Sequence, residues 1–169
     1  MGTHRIQKEI KRIAMELNYK RATLSDIELL TKTRIEVLVA TDRISSSVDL
    51  DTLEEATKEY YNKSLADNSH VAYLIFDGTK FIAAGGICFY EVMPTYGDCT
   101  GKRAYIMNMY TRPEYRRRGI AYKALNLLVG AAYERGVSYI SLEPTEISKH
   151  LYEKFGFRFI DDEMRLVEF

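Results

Sequence analysis

The stretch that most constrains this chain is Tyr110-Thr-Arg-Pro-Glu-Tyr-Arg-Arg-Arg-Gly-Ile-Ala121. The β-forming residues Tyr105 to Thr111 run into Pro113, and helix-forming residues follow Gly119, so the segment reads as strand, turn and helix. Any fold that accepts it must bring a strand end to a helix start across a short glycine-containing turn. Glycine lets the backbone approach a ligand, and the helix start behind it offers unpaired N–H groups. Those groups and the helix dipole favour an anion such as a pyrophosphate. Arg116, Arg117 and Arg118 add donors suited to phosphate oxygens. Between Arg112 and Lys123 there are five positive residues against Glu114 alone. The spacing is neither that of a P-loop nor that of the three-glycine dinucleotide fingerprint.

The rest of the chain supplies elements on both sides of this unit. Leu17 to Ala22 reads as a first strand, and Thr23-Leu-Ser-Asp26 as a helix start with Ser25 at the N-cap. The helix should run to about Asp42 with Ile27, Leu30, Ile35 and Leu38 on its core face, and a second should cover Asp51 to Leu65, with Tyr60 and Tyr61 at its tip. Val71 to Phe76, a turn at Asp77-Gly78 and Phe81 to Tyr90 form a hairpin pattern. A loop marked by Pro94, Gly97 and Gly101 leads to Tyr105–Thr111. A helix from about Arg118 to Glu134 should stop at Gly136, followed by a strand from Val137 to Glu143 that Pro144 ends. Thr145 can cap a short helix with Ile147, Leu151 and Phe155 on one face, closed by Gly156. Phe157–Ile160 and Met164–Phe169 pattern as a last hairpin. Upstream, Ile6, Ile10, Ile13 and Leu17 recur at helical spacing: either a short helix packed on the body or on a partner, or an extension ahead of a start at Met15. The expected organisation is an extension over residues 1–16 and one domain over 17–169, with a mixed sheet covered by helices on both faces.

Composition narrows the function classes. Lys plus Arg and Asp plus Glu number 24 each, so the net charge is zero, which argues against a general nucleic-acid binder. Cys88 and Cys99 define no disulfide framework; the first patterns as a buried small hydrophobe and the second as a loop residue. His4, His70 and His150 show no metal-ligand spacing, so no metal is expected. There is neither an apolar run near the length of a membrane span nor a signal-peptide core, and the expectation is a cytoplasmic protein with no membrane attachment.

Arg116-x-x-Gly119-x-Ala121, led in by Pro113 and Tyr115, resembles the pyrophosphate motif of the GNAT superfamily of N-acyltransferases. Leu151-Tyr152-Glu153-Lys154-Phe155-Gly156-Phe157 resembles that family's second motif, and Tyr19 to Asp26 its first strand and helix. The resemblance spans about Leu17 to Phe169. It implies an α/β (α+β) domain: a mixed, mostly antiparallel central sheet flanked by helices. It also implies acetyl-CoA as cosubstrate and transfer of its acetyl group to a primary amine by direct nucleophilic attack. Met109, Tyr110 and Thr111 would line the pantetheine arm, with backbone groups of Met109 and Thr111 bonding it and the Met109 N–H polarising the thioester carbonyl. Arg116, Arg117, Arg118, Gly119, Ile120 and Ala121 would surround the pyrophosphate through backbone amides, Arg116 and Arg118 also through side chains. Tyr152 matches the tyrosine that protonates or hydrogen-bonds the leaving thiolate. Thr145 and Ser148 stand where the family often has Asn and Ala. Thr145 reads equally as a plain N-cap and as a cofactor ligand.

The acceptor and the general base stay open at this level. Glu143 and Glu91, at the ends of two strands, are candidate bases; either could instead be structural or bind a cationic acceptor, and a water chain could replace both. Tyr90, Tyr96, Tyr110, Met93 and Met107 could line an acceptor pocket or simply pack. The loop Glu91–Gly101 and the turn near Ser45–Asp49 are expected recognition loops. The acceptor could be a small amine, an amino acid, an aminoglycoside-like antibiotic, or a protein N-terminus or lysine. Alternatives are a non-catalytic CoA-binding sensor and a nucleic-acid-binding domain using Arg116–Arg118. The apolar end Leu166–Phe169 permits homodimer formation by strand pairing.

Overall fold

The computed structural model describes residues 17–41 and 49–160. The N-terminal pattern over 1–16, the turn near Ser45 and the strand Met164–Phe169 lie outside them. The elements are β1 (Asn18–Arg21), α1 (Ile27–Ala40), α2 (Leu50–Ala66), β2 (His70–Asp77), β3 (Lys80–Glu91), β4 (Lys102–Thr111), α3 (Ile120–Tyr133), β5 (Tyr139–Leu142) and α4 (Lys149–Phe155). The strands form one sheet in the order β1-β2-β3-β4-β5. The first three pairings are antiparallel and β4–β5 is parallel. A parallel neighbour needs a crossover, and α3 provides it.

The alternation of β2 separates two layers of core. Val71 packs with Ile87, Ala104 and Ile106 against Leu125, Leu128 and Val129 of α3. Ala72 and Leu74 pack with Ala84 against Ile27, Leu30 and Tyr61 of α1 and α2. The sheet therefore carries α1 and α2 on one face and α3 on the other, as alternation predicts for a sheet buried on both sides. α4 joins the α3 layer through Tyr152, and Phe155 meets Tyr122 with ring centroids 5.2 Å apart.

Several sequence expectations are corrected. The residue that caps the first helical segment is Thr23, not Ser25. Its N–H and hydroxyl donate to Asp26 Oδ2 at 2.9 and 3.1 Å, and the Asp26 N–H donates to the Thr23 carbonyl at 2.9 Å. The Thr-x-x-Asp spacing makes a reciprocal box that Ser25, two residues further in, cannot make. Ile35 is only half-buried, while Thr31 and Thr33 are buried, because α1 packs against both the sheet and α2. α3 begins at Ile120 rather than near Arg118, since Arg117 (φ +61°) and Gly119 (φ +76°) are left-handed and interrupt a helix there. Ile147 is 84% exposed. It precedes α4 in a turn, so its sequence spacing to Leu151 is not a helical one. Phe157–Ile160 has no strand partner among the described residues.

Candidate active site

β4 and β5 pair over four positions, from Arg103–Tyr139 to Ile106–Leu142. β4 then runs on to Thr111 while the chain after β5 reaches Pro144 and turns away. From Met107 to Thr111, the β4 edge that faced β5 has no strand beside it among the described residues. On its other side the register with β3 shifts: Gly86 pairs with Met107, but Ala84 pairs with Tyr110. Gly85 thus faces two residues, Asn108 and Met109, a bulge that bends the strand and re-aims side chains. Asn108 takes the left-handed conformation (φ +57°), is buried, and accepts a long hydrogen bond from Arg34 Nη1 of α1 at 3.4 Å. Met109 turns to the α3 side, where its sulfur would lie 2.6 Å from a Cβ on Gly85.

The turn after β4 is braced internally. The Tyr115 hydroxyl donates to Asp77 at 2.8 Å, and Lys80 pairs with Glu114 at 3.1 Å. Arg116 Nε donates to the Thr111 carbonyl at 3.0 Å, and Arg118 Nη2 donates to the Glu114 carbonyl at 2.9 Å while stacking on Tyr115. The arginines expected to use their side chains on a phosphate are therefore engaged in shaping the turn. Arg117, exposed and left-handed, makes no hydrogen bond or ion pair among the described residues. Beyond it, a Cβ at Gly119 would meet nothing within 4 Å. The first helical bond of α3 is from Lys123 N–H to the Gly119 carbonyl, so the N–H groups of Ile120, Ala121 and Tyr122 precede the helical ladder. No acidic residue occupies that first turn.

The remaining candidates divide between this region and elsewhere. Tyr152 is 6% exposed and shares a cluster with Ile106, Met109 and Leu142, which flank the place where β4 and β5 part. Its ring meets Phe157 edge-on at 6.0 Å. Glu143 is exposed, one residue past the last β4–β5 pair. Thr145 and Ser148 satisfy one another: the Thr145 N–H donates to Ser148 Oγ at 2.8 Å, and the two hydroxyls are 2.9 Å apart. That arrangement closes the turn before α4. Glu91 pairs with Lys102, five residues before Met107. At the rise of a β-strand this is about 17 Å from the parting of the strands, so Glu91 lies well away from the open stretch of β4. It lines an open cleft of about 380 Å³ with Asn68, Tyr90, Lys102, Arg103 and Arg135. Tyr90, Met93 and Tyr96, with the loop to Gly101, share that far end, while Met107 and Tyr110 lie on the open stretch of β4.

Sequence reasoning passed over one group. His70 opens β2 on the α1/α2 face and is 3% exposed. Its Nδ1 lies 2.9 Å from the Tyr60 hydroxyl of α2, and its ring stands edge-on to Tyr60 and Tyr61. Its Nε2 has no hydrogen-bond partner among the described residues. Burial lowers the imidazole pKa from 6.5 to about 4 and pushes the Tyr61 hydroxyl up to about 12. The signal in the chain was Gly85-Gly86 inside a strand, where a missing side chain marks a close approach. A Cβ on Gly86 would sit 2.7 Å from His70 Nε2. Gly86→Ala is expected to lower stability by about 1–3 kcal/mol through this overpacking, read as a drop in melting temperature at pH 7.5; an unchanged melt would mean that the imidazole has room to retreat.

Among the described residues, no group of three His, Cys, Asp or Glu side chains is placed to hold a metal ion. No helix among them is long and apolar enough to cross a membrane. Residues 38–157 match the family model described as acetyltransferase (GNAT) family. No curated protein matches the chain. Among solved structures, a predicted acetyltransferase from Clostridium acetobutylicum, determined with acetyl-CoA, is 34% identical, with 89% of this chain and 96% of that one covered and a TM-score of 0.83. A GCN5-related N-acetyltransferase from Ralstonia eutropha JMP134 is 23% identical over 89% and 98% of the chains, TM-score 0.76. Glucosamine-6-phosphate N-acetyltransferase from Arabidopsis thaliana is 20% identical over 89% and 97%, TM-score 0.65. The last two likenesses are of fold.

Proposed function

The chain belongs to the GNAT acetyltransferase family, and from that premise we propose that it transfers acetyl from acetyl-CoA to the primary amine of a small-molecule or peptide acceptor by direct attack. One observation carries this reading: the open β4 edge at Met107–Thr111 leads directly into a left-handed turn and the bare N-terminus of α3. An extended polar arm can lie along the first, and a pyrophosphate can sit on the second. The N–H groups of Gly119, Ile120 and Ala121 would hold the phosphate oxygens, with the exposed Arg117, which has no hydrogen bond or ion pair among the described residues, as a side-chain cation. Arg116 and Arg118 would act through their backbone and by keeping the turn in shape. Met109, Tyr110 and Thr111 would line the arm, with the Met109 N–H directed at the thioester carbonyl. Thr145 and Ser148 would contribute by holding the turn on the β5 side of the arm.

Thioester aminolysis needs a donor for the departing sulfur and an acceptor for the amine proton. Tyr152, buried beside Ile106, Met109 and Leu142, would hydrogen-bond the thiolate as the C–S bond breaks. Glu143, solvated just past the last strand pair, would draw an ammonium to the opening and take its first proton. Tyr152→Phe keeps the buried ring and removes the hydroxyl. It is expected to cut amine-dependent CoA release by about 100-fold while acetyl-CoA affinity, measured by calorimetry, stays within about threefold. A wild type that binds acetyl-CoA yet releases no CoA with any primary amine would instead be a sensor. A wild type that binds no acetyl-CoA would end the reading.

A further inference from the structure

We propose that Arg34 is the acceptor-recognition residue of this site, its guanidinium holding the carboxylate of a free amino acid whose amine receives the acetyl group. The inference rests on the acetyltransferase reading above and narrows its acceptor. Its starting point is a cation without a counter-ion. Arg34 is half-buried on α1, and its guanidinium is charged at every pH of interest. Among the described residues it makes no ion pair. Its hydrogen bond there runs from Nη1 to the neutral Asn108 Oδ1 and is 3.4 Å long, at the weak end for such a bond.

The charges around it are already committed. Glu36, two residues on along α1, points elsewhere and pairs with Arg112 at 3.1 Å. Tyr61 of α2, near enough for its hydroxyl to feel the Arg34 charge, is buried and remains a neutral phenol. A guanidinium that has lost part of its water and gained no carboxylate carries a desolvation cost, which an anionic ligand would offset.

The place is specific. Two bridges hold the C-terminal half of α1 over the open stretch of β4: Arg34 to Asn108, and Glu36 to Arg112 just past the strand. The bulge turns the Asn108 side chain toward α1, while Met109 faces α3. Tyr110 pairs with Ala84 of the α1/α2 core layer and so faces the Arg34 side. The guanidinium therefore stands over the part of β4 that β5 has left, beside Met109, whose N–H addresses the thioester carbonyl in the reading above. Its partial exposure lets a ligand reach it from solvent. The N-terminus of α3, which would take the pyrophosphate, belongs to the other face of the sheet, so acceptor and cosubstrate do not compete for one cation.

Charge and reach select the acceptor. One uncompensated positive charge matches one carboxylate, which the planar fork of arginine can grip side-on. A phosphate monoester carries nearly two charges and calls for a second cation, but the neighbouring Arg112 is neutralised by Glu36. A polycationic acceptor would be repelled. Asn108 and Met109 are adjacent, so the anion and the reacting amine sit about 3.8 Å apart along the strand. In an α-amino acid a single carbon joins the two groups, which suits so short a span. The transfer balances as an aminolysis: the C–N bond forms and the C–S bond breaks. Of the ammonium's three protons, one stays on the amide, one leaves through Glu143 to water, and one ends on the CoA sulfur through Tyr152.

The test is CoA release at saturating acetyl-CoA and pH 8, driven by each common amino acid other than cysteine and by its α-amide. The amide keeps the amine and side chain and removes the carboxylate. Its amine is also the less basic, so a larger fraction is deprotonated and the comparison is weighted against the proposal. In wild type, kcat/KM for the best amino acid should exceed that of its amide by about 10- to 100-fold. In Arg34→Gln that ratio should collapse to about one, and Arg34→Lys, which keeps the charge and loses the fork, should fall between. Acetyl-CoA calorimetry on each variant reports that the fold and cosubstrate site survive, and the wild-type ratio tests the proposal without any variant. Equal use of amino acids and amides by wild type would overturn the proposal, as would an unchanged ratio in Arg34→Gln. Release driven by benzylamine but by no amino acid would overturn it too and leave the enzyme reading intact. A wild type that prefers Asp-Ala amide to every free amino acid would overturn the assignment to a free amino acid. Failure of wild type to bind acetyl-CoA would sink the reading on which the proposal rests.

Discussion

Gly119→Glu is expected to abolish measurable acetyl-CoA binding, a loss of at least about 100-fold in Kd, while the protein still folds. Two facts separate these outcomes. Gly119 has φ +76°, so any side chain pays the left-handed penalty of about 1–2 kcal/mol. A Cβ there nevertheless meets no protein atom within 4 Å. The new side chain projects into open space in front of the α3 N-terminus, the space a pyrophosphate would use. Its carboxylate at a helix start is favourable to the helix by about 0.3–1 kcal/mol, which offsets part of the strain. The melting temperature should therefore fall by only a few degrees for a domain of this size. Electrostatically the same carboxylate repels the phosphates and competes for the N–H groups of Ile120 and Ala121. Gly119→Ala is the control: it carries the backbone strain without the charge, and should keep most of the affinity. Calorimetry with acetyl-CoA on the three proteins decides. Wild-type affinity in the Glu variant would mean that the phosphates are held elsewhere.

Acid should destabilise the fold through His70 before the carboxylates contribute. The folded imidazole titrates at about 4, against 6.5 in the unfolded chain. Between those values the unfolded state binds one more proton, so stability rises with pH in that window and falls as pH drops from 6.5 to 4. Below pH 4 both states are protonated and this contribution no longer changes. The size is about 3 kcal/mol, undiscounted because the ring is almost wholly buried. The carboxyls held below their ordinary range, among them Asp26 by its bonds to Lys20 and Thr23, work in the same direction but at lower pH. Urea unfolding at intervals from pH 7 to 4.5 should show the decline, and His70→Gln should flatten it. Equal slopes in the two proteins would assign the acid sensitivity to another group.

Much of this architecture was readable along the chain. The strand-turn-helix unit around Gly119 is local, and its turn chemistry follows from glycine, proline and the arginines alone. The core faces of β2 and α3 follow from alternation and helical period. The pattern along the chain was ambiguous where a side chain had two possible partners. Ser25 and Thr23 both suit an N-cap, and only the position of Asp26 chose Thr23. The resemblance assigns Arg116 and Arg118 a side-chain role on the phosphates, and in the structure both side chains lie on carbonyls of their own turn. Glu91 and Glu143 both end strands. Strand direction, invisible in a linear pattern, put one at each end of the sheet region they border.

By itself, the sequence determined the elements, the apolar faces and a phosphate-suited turn, because each depends on residues within a few positions of one another. Only the tertiary structure decided which elements lie side by side: that β4 outruns β5, that a bulge sits opposite Gly85, and that His70 comes down on Gly86 beside Met107. Those facts depend on pairing register and on close packing between residues far apart in the chain. Neither leaves a periodic trace in the sequence, since one vacant Cβ position in a strand looks the same whether it faces a histidine or nothing.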